Sequence, residues 1–428
     1  MKRNAFIRQG AISLFALGLG GIPNFITRAA AMGKNYLPFK KKRTLVCIFQ
    51  RGAMDGLMAV CPYTDPNLKA LRPGLYMSPA RTEGGLIDLD GKFGLHPALS
   101  PFAPLFTEKR MAIVHGVGSP NNSRSHFDAQ DYMESGIPFL KGAASGWLNR
   151  AEGLLGEEGG PFRAVSMTNA LPRSLFGENR ALAINNLEDF ALRAKSNPGA
   201  LSNPDALSNP AALRDAQKSL EALYDAASND MVNHTGRQSF EASKLLDSNA
   251  IRNYQPSGGA KYPNSQLGNA LRQIAILIKM EVGLEIAFAE SGGWDTHFSQ
   301  GTTDGILARN LKDFGESMTA FWSDLGTWQD EVTVMTMTEF GRTVHQNGTG
   351  GTDHGRASCL FVLGNDVMGG KVYNEITSLA PEELEDQRDL PVTIDFRSVF
   401  SRVAEGHLRL SANQTLFPGW GGRGLEVM

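Results

Sequence analysis

Residues 332–355 constrain the fold of this chain more than any other segment. They read VTVMTMTEFGRTVHQNGTGGTDHG, in which the apolar run 332–337 predicts a buried strand that ends just before Glu339. A glycine-rich loop then leads to Asp353 and His354. Polar side chains that follow buried strands lie at the carboxyl edge of an α/β sheet, where ligands bind. The segment therefore predicts a polar site at such an edge, although a hydrogen-bonded Glu and a turn-capping Asp would give the same pattern.

Further apolar runs predict buried strands elsewhere in the chain, at 44–49, 110–114, 285–289 and 359–363. Helical periodicity predicts helices at 266–282 and 307–325, and a shorter helix that stops near Gly136. Strands and helices alternate along the chain. The predicted fold class is therefore α/β, with a doubly wound, mainly parallel sheet flanked by helices.

A repeated motif marks the predicted insertion. Ser-Asn-Pro recurs about every six residues between 196 and 213, in the segments SNPGAL, SNPDAL and SNPAAL. Each copy is typical of a turn or a helix start. Together with the alanine-rich residues after it, the repeat predicts a helical insertion at about 190–265, either a lid over the sheet or an inert excursion.

The first 31 residues are typical of an export signal rather than of folded structure. Lys2, Arg3 and Arg8 precede the short apolar run 11–22, and alanines at 29–31 offer a cleavage site. The run is too short to span a bilayer, so no stable transmembrane anchor is expected. The segment resembles a loose twin-arginine signal. We therefore expect export to the periplasm or the extracellular space, with 32–428 forming a single domain.

Charge and cysteine content narrow the functional classes. Without residues 1–31 the chain has 38 basic and 44 acidic side chains, a net charge near −6. This balance excludes a generic nucleic-acid binder, which needs a basic surface. The three cysteines show no metal-binding spacing, so buried free thiols are expected.

Four loops that follow predicted strands carry side chains suited to metal chemistry. Neutral imidazoles and carboxylates are ligands for Zn²⁺ or Mn²⁺, and for Mg²⁺ or Ca²⁺ where oxygen dominates. A set of this size could hold two ions, as in phosphoryl-transfer sites. Hydrogen-bonded His-Asp pairs without a metal are the alternative. The candidate ligands are Asp55, His126, Asp295, His297, Glu339, Asp353 and His354.

Three residues before His126 are candidates for catalysis. Ser123 and Ser125 open a predicted helix, where unpaired backbone N–H groups favour an anion. Either hydroxyl could serve as a nucleophile, and Arg124 could clamp an anionic ester. Helix capping is the alternative role for the serines.

The phrases RGAMDGL, NNSRSHFDAQDYMESG, SGGWDTH and TEFGR…GTDHG occur in an order that resembles the bacterial family catalogued as domain of unknown function 1501. The resemblance extends over about residues 44–420 and includes the closing FPGW. That family looks like a branch of the alkaline phosphatase and sulfatase superfamily. The resemblance implies an alkaline phosphatase-like fold with two metal ions.

The superfamily pattern carries over unevenly to this sequence. It implies metal ligation by Asp55, although that residue lies several positions past its strand, and by the closely spaced Asp295 and His297. An Asp-His pair of the superfamily falls on Glu339 and Phe340, so that one ligand is changed and the other missing. His126 is the candidate to replace the missing ligand. GTDHG resembles the last histidine motif of phosphopentomutases and implies a role for His354.

Two functions are consistent with these features. The first is an exported, metal-dependent hydrolase that acts on a phosphate or sulfate ester of a small molecule or glycan. The alternative is a non-catalytic relative that binds metal together with a glycan or protein partner. The changed Glu339-Phe340 position favours the alternative, whereas the Ser-His-Asp segment and GTDHG favour the enzyme.

Overall fold

The computed structural model describes residues 42–156, 159–193, 246, 248–411 and 413–428. The predicted signal peptide lies outside these residues, as does most of the predicted insertion at 190–265. The single-domain prediction for 32–428 stays a prediction. The three cysteines are buried and free, as predicted. In the described part of the chain, the helices are too short or too polar to cross a membrane.

Short and long strands alternate with helices through the described chain. In chain order, the strands are β1 (Thr44–Gln50), β2 (Val60–Cys61), β3 (Ile87–Asp88), β4 (Gly94–Leu95), β5 (Met111–Gly118), β6 (Ala164–Ser166), β7 (Leu182–Ala183), β8 (Ile286–Ser291), β9 (Val332–Met337), β10 (Ser358–Leu363), β11 (Lys371–Tyr373) and β12 (Ile394–Asp395). The predicted strands correspond to β1, β5, β8, β9 and β10.

The helices differ widely in length. They are α1 (Gly56–Ala59), α2 (Leu68–Leu71), α3 (Phe102–Thr107), α4 (His126–Ser135), α5 (Trp147–Leu154), α6 (Leu187–Arg193), α7 (Ser248–Arg252), α8 (Gln266–Lys279), α9 (Ile306–Leu325), α10 (Phe396–Gly406) and α11 (Asn413–Leu416). The two long helices α8 and α9 and the shorter α4 match the predicted helices.

One sheet of nine strands organises these elements. Its order is β11-β5-β10-β9-β1-β8-β6-β7, with β12 also paired to β5. All pairings are parallel except those of β10, which runs antiparallel to β5 and β9. A smaller antiparallel sheet contains β2, β4 and β3. The prediction of a mainly parallel sheet in an α/β fold is confirmed.

Helices cover both faces of the large sheet. In β1, Val46 and Ile48 point into a core that includes residues of α8 and α9, whereas Cys47 and Phe49 point into a second core with residues of α5 and α10. Because both faces are covered, each strand reads as an unbroken apolar run rather than an alternating one. This is the doubly wound arrangement that the sequence predicts.

Local chemistry sets the bounds of the site helix α4. It begins at His126 after Ser125, which has an extended backbone typical of an N-cap. It ends at Gly136, whose φ of 69° is left-handed and whose N–H donates to the Tyr132 carbonyl. Glycine adopts this conformation without strain, so the helix stops where the sequence predicts.

Two buried histidines make the stability of this fold pH-dependent. Burial lowers the pKa of His115 and of His407 to about 4 each, whereas an unfolded histidine titrates near ~6.5. Both stay neutral in the fold over this interval, so unfolding takes up protons. The contribution of these histidines to the free energy of unfolding should therefore be complete above pH ~6.5. It should be lost as the pH drops towards ~4, by up to about 3 kcal/mol per residue.

Urea unfolding at pH 4.5, 5.5, 6.5 and 7.5 measures this effect. The slope of unfolding free energy against pH measures the number of protons taken up on unfolding. In His407→Gln, this number should decrease by up to about one between pH ~6.5 and ~4. Glutamine can keep the donor bond that His407 Nε2 makes to the Thr44 carbonyl. An unchanged slope in the variant would contradict the assignment.

Candidate metal centre

The carboxyl edge of the large sheet gathers the predicted polar loops. The loop after β8 carries Asp295 and His297, β9 leads directly to Glu339, and β5 leads through a short loop to α4. Because β10 runs antiparallel, its first residue lies at this same edge, and the loop before it brings Asp353 and His354 there. The strand directions alone therefore concentrate these side chains in one place.

Three imidazole rings converge at this edge. His354 Nε2 lies 3.0 Å from His126 Nε2 and 3.0 Å from His297 Nε2. Phe340, which is buried, packs against the rings of His126 and His354 with centroid distances of 4.9 and 5.0 Å. The buried Phe340 ring thus packs against two of the three histidines.

The other nitrogen of each ring is held by a fixed acceptor. His126 Nδ1 lies 2.8 Å from Glu339 Oε1, and His297 Nδ1 lies 2.9 Å from Asp353 Oδ1. His354 Nδ1 lies 2.8 Å from the Arg124 carbonyl, which can only accept. Each Nδ1 therefore carries the proton, and each Nε2 presents a lone pair to the cluster. Metal-binding histidines are oriented in this manner.

Asp295 completes the cluster. Its Oδ1 lies 3.0 Å from His297 Nε2 and 3.2 Å from His354 Nε2, and its Oδ2 lies 3.5 Å from His126 Nε2. Buried Arg342 donates to Oδ1 at 2.6 Å. Burial would raise the pKa of Asp295, but the hydrogen bond and charge of Arg342 outweigh it, and the pKa lies below its ordinary value.

The donor set fits a divalent cation. The ligand atoms of His126, Asp295 and His354 all lie within 4.8 Å of one another. Two imidazole nitrogens bound tetrahedrally to Zn²⁺ at about 2.0–2.1 Å would lie about 3.3 Å apart. The His354 Nε2 lone pair lies 3.0 Å from the Nε2 atoms of His126 and of His297, and these contacts are repulsive in the absence of a positive charge between them. A cation resolves that repulsion, so the residues present are suited to metal binding.

Glu339 links the cluster to the sheet. It is buried, and its Oε1 accepts hydrogen bonds from the Gly52 N–H at 2.8 Å and from Gln130 Nε2 at 2.9 Å as well as from His126. Burial would raise the pKa of Glu339, but these bonds lower it below its ordinary value. The structure thus places Glu339 behind His126, as the partner that orients the ring.

We expect Glu339→Gln to weaken metal affinity about 10–100-fold, the usual cost of losing a partner that orients a ligating histidine. A neutral amide has nearly the same shape but no negative charge to hold the His126 Nδ1 proton. Glu290→Gln is the matched control, because Glu290 also lies near a strand end but pairs with Arg51. Competition titration with a chelator measures both affinities, and equal affinities for the two variants would contradict this role.

Asp55 lies outside the cluster, contrary to the prediction. Both of its carboxylate oxygens contact Arg72 NH1, at 2.8 and 3.0 Å, and Oδ2 also accepts from Gln300 at 2.7 Å. The loop between β1 and α1 turns through Gly52 and Ala53, which both have positive φ, and places Asp55 at the N-cap of α1. A buried carboxylate that is fully engaged in this way is a structural ion pair rather than an open ligand.

The candidate catalytic residues adjoin the cluster. Ser125 is exposed and directly precedes His126, and the Ser123 hydroxyl accepts from the Ser125 N–H at 3.3 Å. The Arg124 guanidinium, by contrast, is bound to buried Asp389, with Nε 2.9 Å from Oδ2. Arg124 therefore acts here through its carbonyl, which orients His354, and its side chain is not free to clamp an ester.

Two residues that support the site were not predicted from the sequence. Gln130 follows His126 by four positions on α4, so helical spacing would have placed both on one face. Asp389 binds Arg124 and Arg388, and Arg388 donates to the His354 carbonyl at 3.0 Å. Asp389 has no sequence signal, because the loop that carries it lies far along the chain from every motif.

The fold and the site define an α/β protein with a His/Asp centre at the carboxyl edge of its sheet. A family model described as a protein of unknown function (DUF1501) matches residues 110–416. The chain belongs to that family. A search of curated protein sequences gave no match.

Three solved structures show partial similarity to this chain. A protein in the alkaline phosphatase superfamily from Vibrio parahaemolyticus has 11% identity and a TM-score of 0.36, covering 84% of this chain and 73% of its own. The lipoteichoic acid synthase LtaP from Listeria monocytogenes has 10% identity and a TM-score of 0.32, covering 80% and 72%. Alkaline phosphatase from the Antarctic bacterium TAB5 has 10% identity and a TM-score of 0.30, covering 78% and 95%.

Proposed function

We propose that this chain is an exported, metal-dependent hydrolase that acts on a phosphate or sulfate ester. The observation that carries the proposal is the convergence of three imidazole Nε2 atoms beside Asp295, with every Nδ1 held by an acceptor. His126, His354 and Asp295 would hold one divalent cation. His297 lies 3.0 Å from both His354 and Asp295 and would bind the same ion or a second one.

The types of ligand atom in the cluster narrow the choice of metal ion. Imidazole nitrogens favour Zn²⁺ and other first-row transition ions, whereas Mg²⁺ and Ca²⁺ prefer sites made of oxygen. Three imidazoles against one carboxylate therefore favour Zn²⁺, with Mn²⁺ the next candidate. When bound, such an ion would supply positive charge that stabilises an anionic ester and its transition state.

The residues of the chain itself would position and attack the ester. Ser125 precedes the first turn of α4, where unpaired backbone N–H groups favour an anion. Its hydroxyl would lose its proton to solvent and form a bond to phosphorus or sulfur while the ester oxygen departs with the bonding electrons. Water would then cleave the new bond and release the inorganic anion. The buried Glu339–His126 pair would keep the adjoining imidazole fixed throughout.

One observation favours the non-catalytic alternative. Two arginines beside the cluster are engaged, Arg124 with Asp389 and Arg342 with Asp295. Neither is a free clamp for a phosphate or sulfate group. A metal-binding relative that recognises a glycan or protein partner would have no need of such a clamp.

Substitution of the candidate nucleophile should separate the two functions. Replacement by alanine of the serine that is the nucleophile, Ser125 or else Ser123, should lower turnover by more than about 100-fold with metal content unchanged, because the covalent step is lost and the ligands remain. In His297→Ala, metal content should fall as well. Elemental analysis and assays on phosphate monoesters, phosphate diesters and sulfate esters measure both quantities.

The possible outcomes have distinct meanings. Full activity in both serine variants, with activity lost in His297→Ala, would contradict the serine mechanism and favour attack by water. A metal-loaded parent protein with no activity on any ester would favour the binding protein.

Export belongs to the same proposal. Lys2, Arg3 and Arg8 with the apolar run 11–22 support it. Mass spectrometry of periplasmic and extracellular fractions should find a mature chain that begins near Met32. An intact chain confined to the cytoplasm would contradict export.

A further inference from the structure

Two phenylalanines stand exposed beside the metal centre. Phe127 is 89% exposed and directly follows His126, and Phe298 is 66% exposed and directly follows His297. Phe340, in the same region, is 3% exposed and packs against the histidines. Two phenyl rings in water are unfavourable, and their placement next to two ligands of one cluster distinguishes them from scattered surface residues.

The backbone places both residues directly after histidines of the cluster. Phe127 lies in the first turn of α4, and the ring of Phe298 lies 6.4 Å from the ring of His297. The rings of His297 and His126 each approach His354 Nε2 within 3.0 Å. Phe127 and Phe298 thus each directly follow a histidine of the cluster, and we refer to them as the phenylalanine rim.

The loop after α4 carries two further exposed apolar side chains. Lys141 Nζ lies 2.7 Å from Asp128 Oδ2, so the loop after α4 folds back towards its first turn. That loop carries Phe139 and Leu140, which are 71% and 54% exposed. Exposed apolar residues therefore occur both directly after cluster histidines and in the loop that contacts the first turn of α4.

We infer that the phenylalanine rim binds the apolar group of an aryl or alkyl ester whose anionic end faces the His/Asp cluster. The inference rests on the proposed function and adds the substrate class. An ester whose other end is small and hydrophilic would leave both rings in water, because its polar groups need polar partners that phenyl rings do not supply. An aryl or alkyl group would instead remove both rings from water.

Non-hydrolysable anions test this inference separately from turnover. The metal-loaded full chain is titrated calorimetrically with methylphosphonate and phenylphosphonate, and with methanesulfonate and benzenesulfonate. For whichever anion binds, the phenyl form should bind at least about 10-fold more tightly than the methyl form, because it adds buried apolar area.

Two variants define the location of this preference. The double variant Phe127→Ser/Phe298→Ser should bind the phenyl probe no more tightly than the parent binds the methyl probe. Met368→Ser is the matched control. Met368 is 54% exposed and follows β10, which ends at the opposite edge of the sheet. The control should keep the full preference for the phenyl probe.

Several results would overturn the inference. Equal affinity for methyl and phenyl probes would overturn the apolar substrate class while leaving the proposed function intact. Absence of binding by all four anions would contradict the proposed function and the substrate class together. Two other results would also overturn it, if the probes show no preference. Sedimentation of the protein with neutral phosphatidylcholine vesicles, lost in the double variant, would assign the rim to a lipid surface. Dimer formation that is lost in the double variant would assign the rim to a second copy of the chain.

Discussion

Replacement of His354 by alanine is expected to abolish metal binding and, with it, any ester hydrolysis. His354 Nε2 is the central atom of the cluster, 3.0 Å from two other imidazoles and 3.2 Å from Asp295 Oδ1. Its loss removes a ligand rather than the partner of a ligand. Loss of such a partner lowers metal affinity about 10–100-fold, and the loss of His354 should lower it further. Elemental analysis after dialysis against a weak chelator measures the effect.

His345→Ala is the matched control for this prediction. His345 is an exposed histidine in the same loop between β9 and β10. Its replacement should leave metal content unchanged, because its side chain is not among those that converge. Equal metal loss in both variants would indicate that the loop as a whole is perturbed, and retention of metal in His354→Ala would contradict the proposed centre.

The second large effect concerns stability. Arg72 and Asp55 are each 1% exposed and form a salt bridge at 2.8 Å. Arg72 also donates to the Thr343 and Val344 carbonyls at 2.7 and 2.8 Å. Arg72→Ala leaves a buried carboxylate without its counterion, so we expect the free energy of unfolding to decrease by about 3–5 kcal/mol. Urea denaturation at neutral pH measures this change.

Arg81→Ala provides the contrast. Arg81 pairs with Asp88 at the same distance of 2.8 Å, but its side chain is 83% exposed. Exposed pairs of this kind contribute about 0–1 kcal/mol. The folded fraction of Arg72→Ala should keep its metal. Metal loss in Asp55→Ala without a decrease in stability would restore Asp55 as a ligand and contradict the structural assignment.

The fold was predictable because each central strand is buried on both faces. Such strands read as unbroken apolar runs, and the polar loops that follow the parallel strands lie at the carboxyl edge. The loops carrying His126, Asp295 and His354 were therefore visible in the sequence. The reversed direction of β10 was not, because an apolar run carries no sign of its direction.

The roles within the site were harder to predict, because they depend on where short loops turn. Gly52 donates its N–H to Glu339, and a side chain at this position would approach the Asp295 backbone nitrogen within 2.6 Å. Because the loop passes so close to Asp295, Asp55 lies at the start of α1 rather than in the cluster. Similarly, nothing in the sequence indicates that Asp389 binds Arg124. Both outcomes follow from tertiary contacts rather than from spacing.

Crystals of the purified protein would test the central claim most directly. Diffraction data collected on both sides of the zinc absorption edge locate any bound Zn²⁺ by its anomalous signal. The expected result is a peak about 2.0–2.2 Å from the Nε2 atoms of His126 and His354 and from an Asp295 carboxylate oxygen. If data at the zinc and manganese edges gave no peak at this cluster, or gave one beside Asp55 instead, the proposed metal centre would be contradicted.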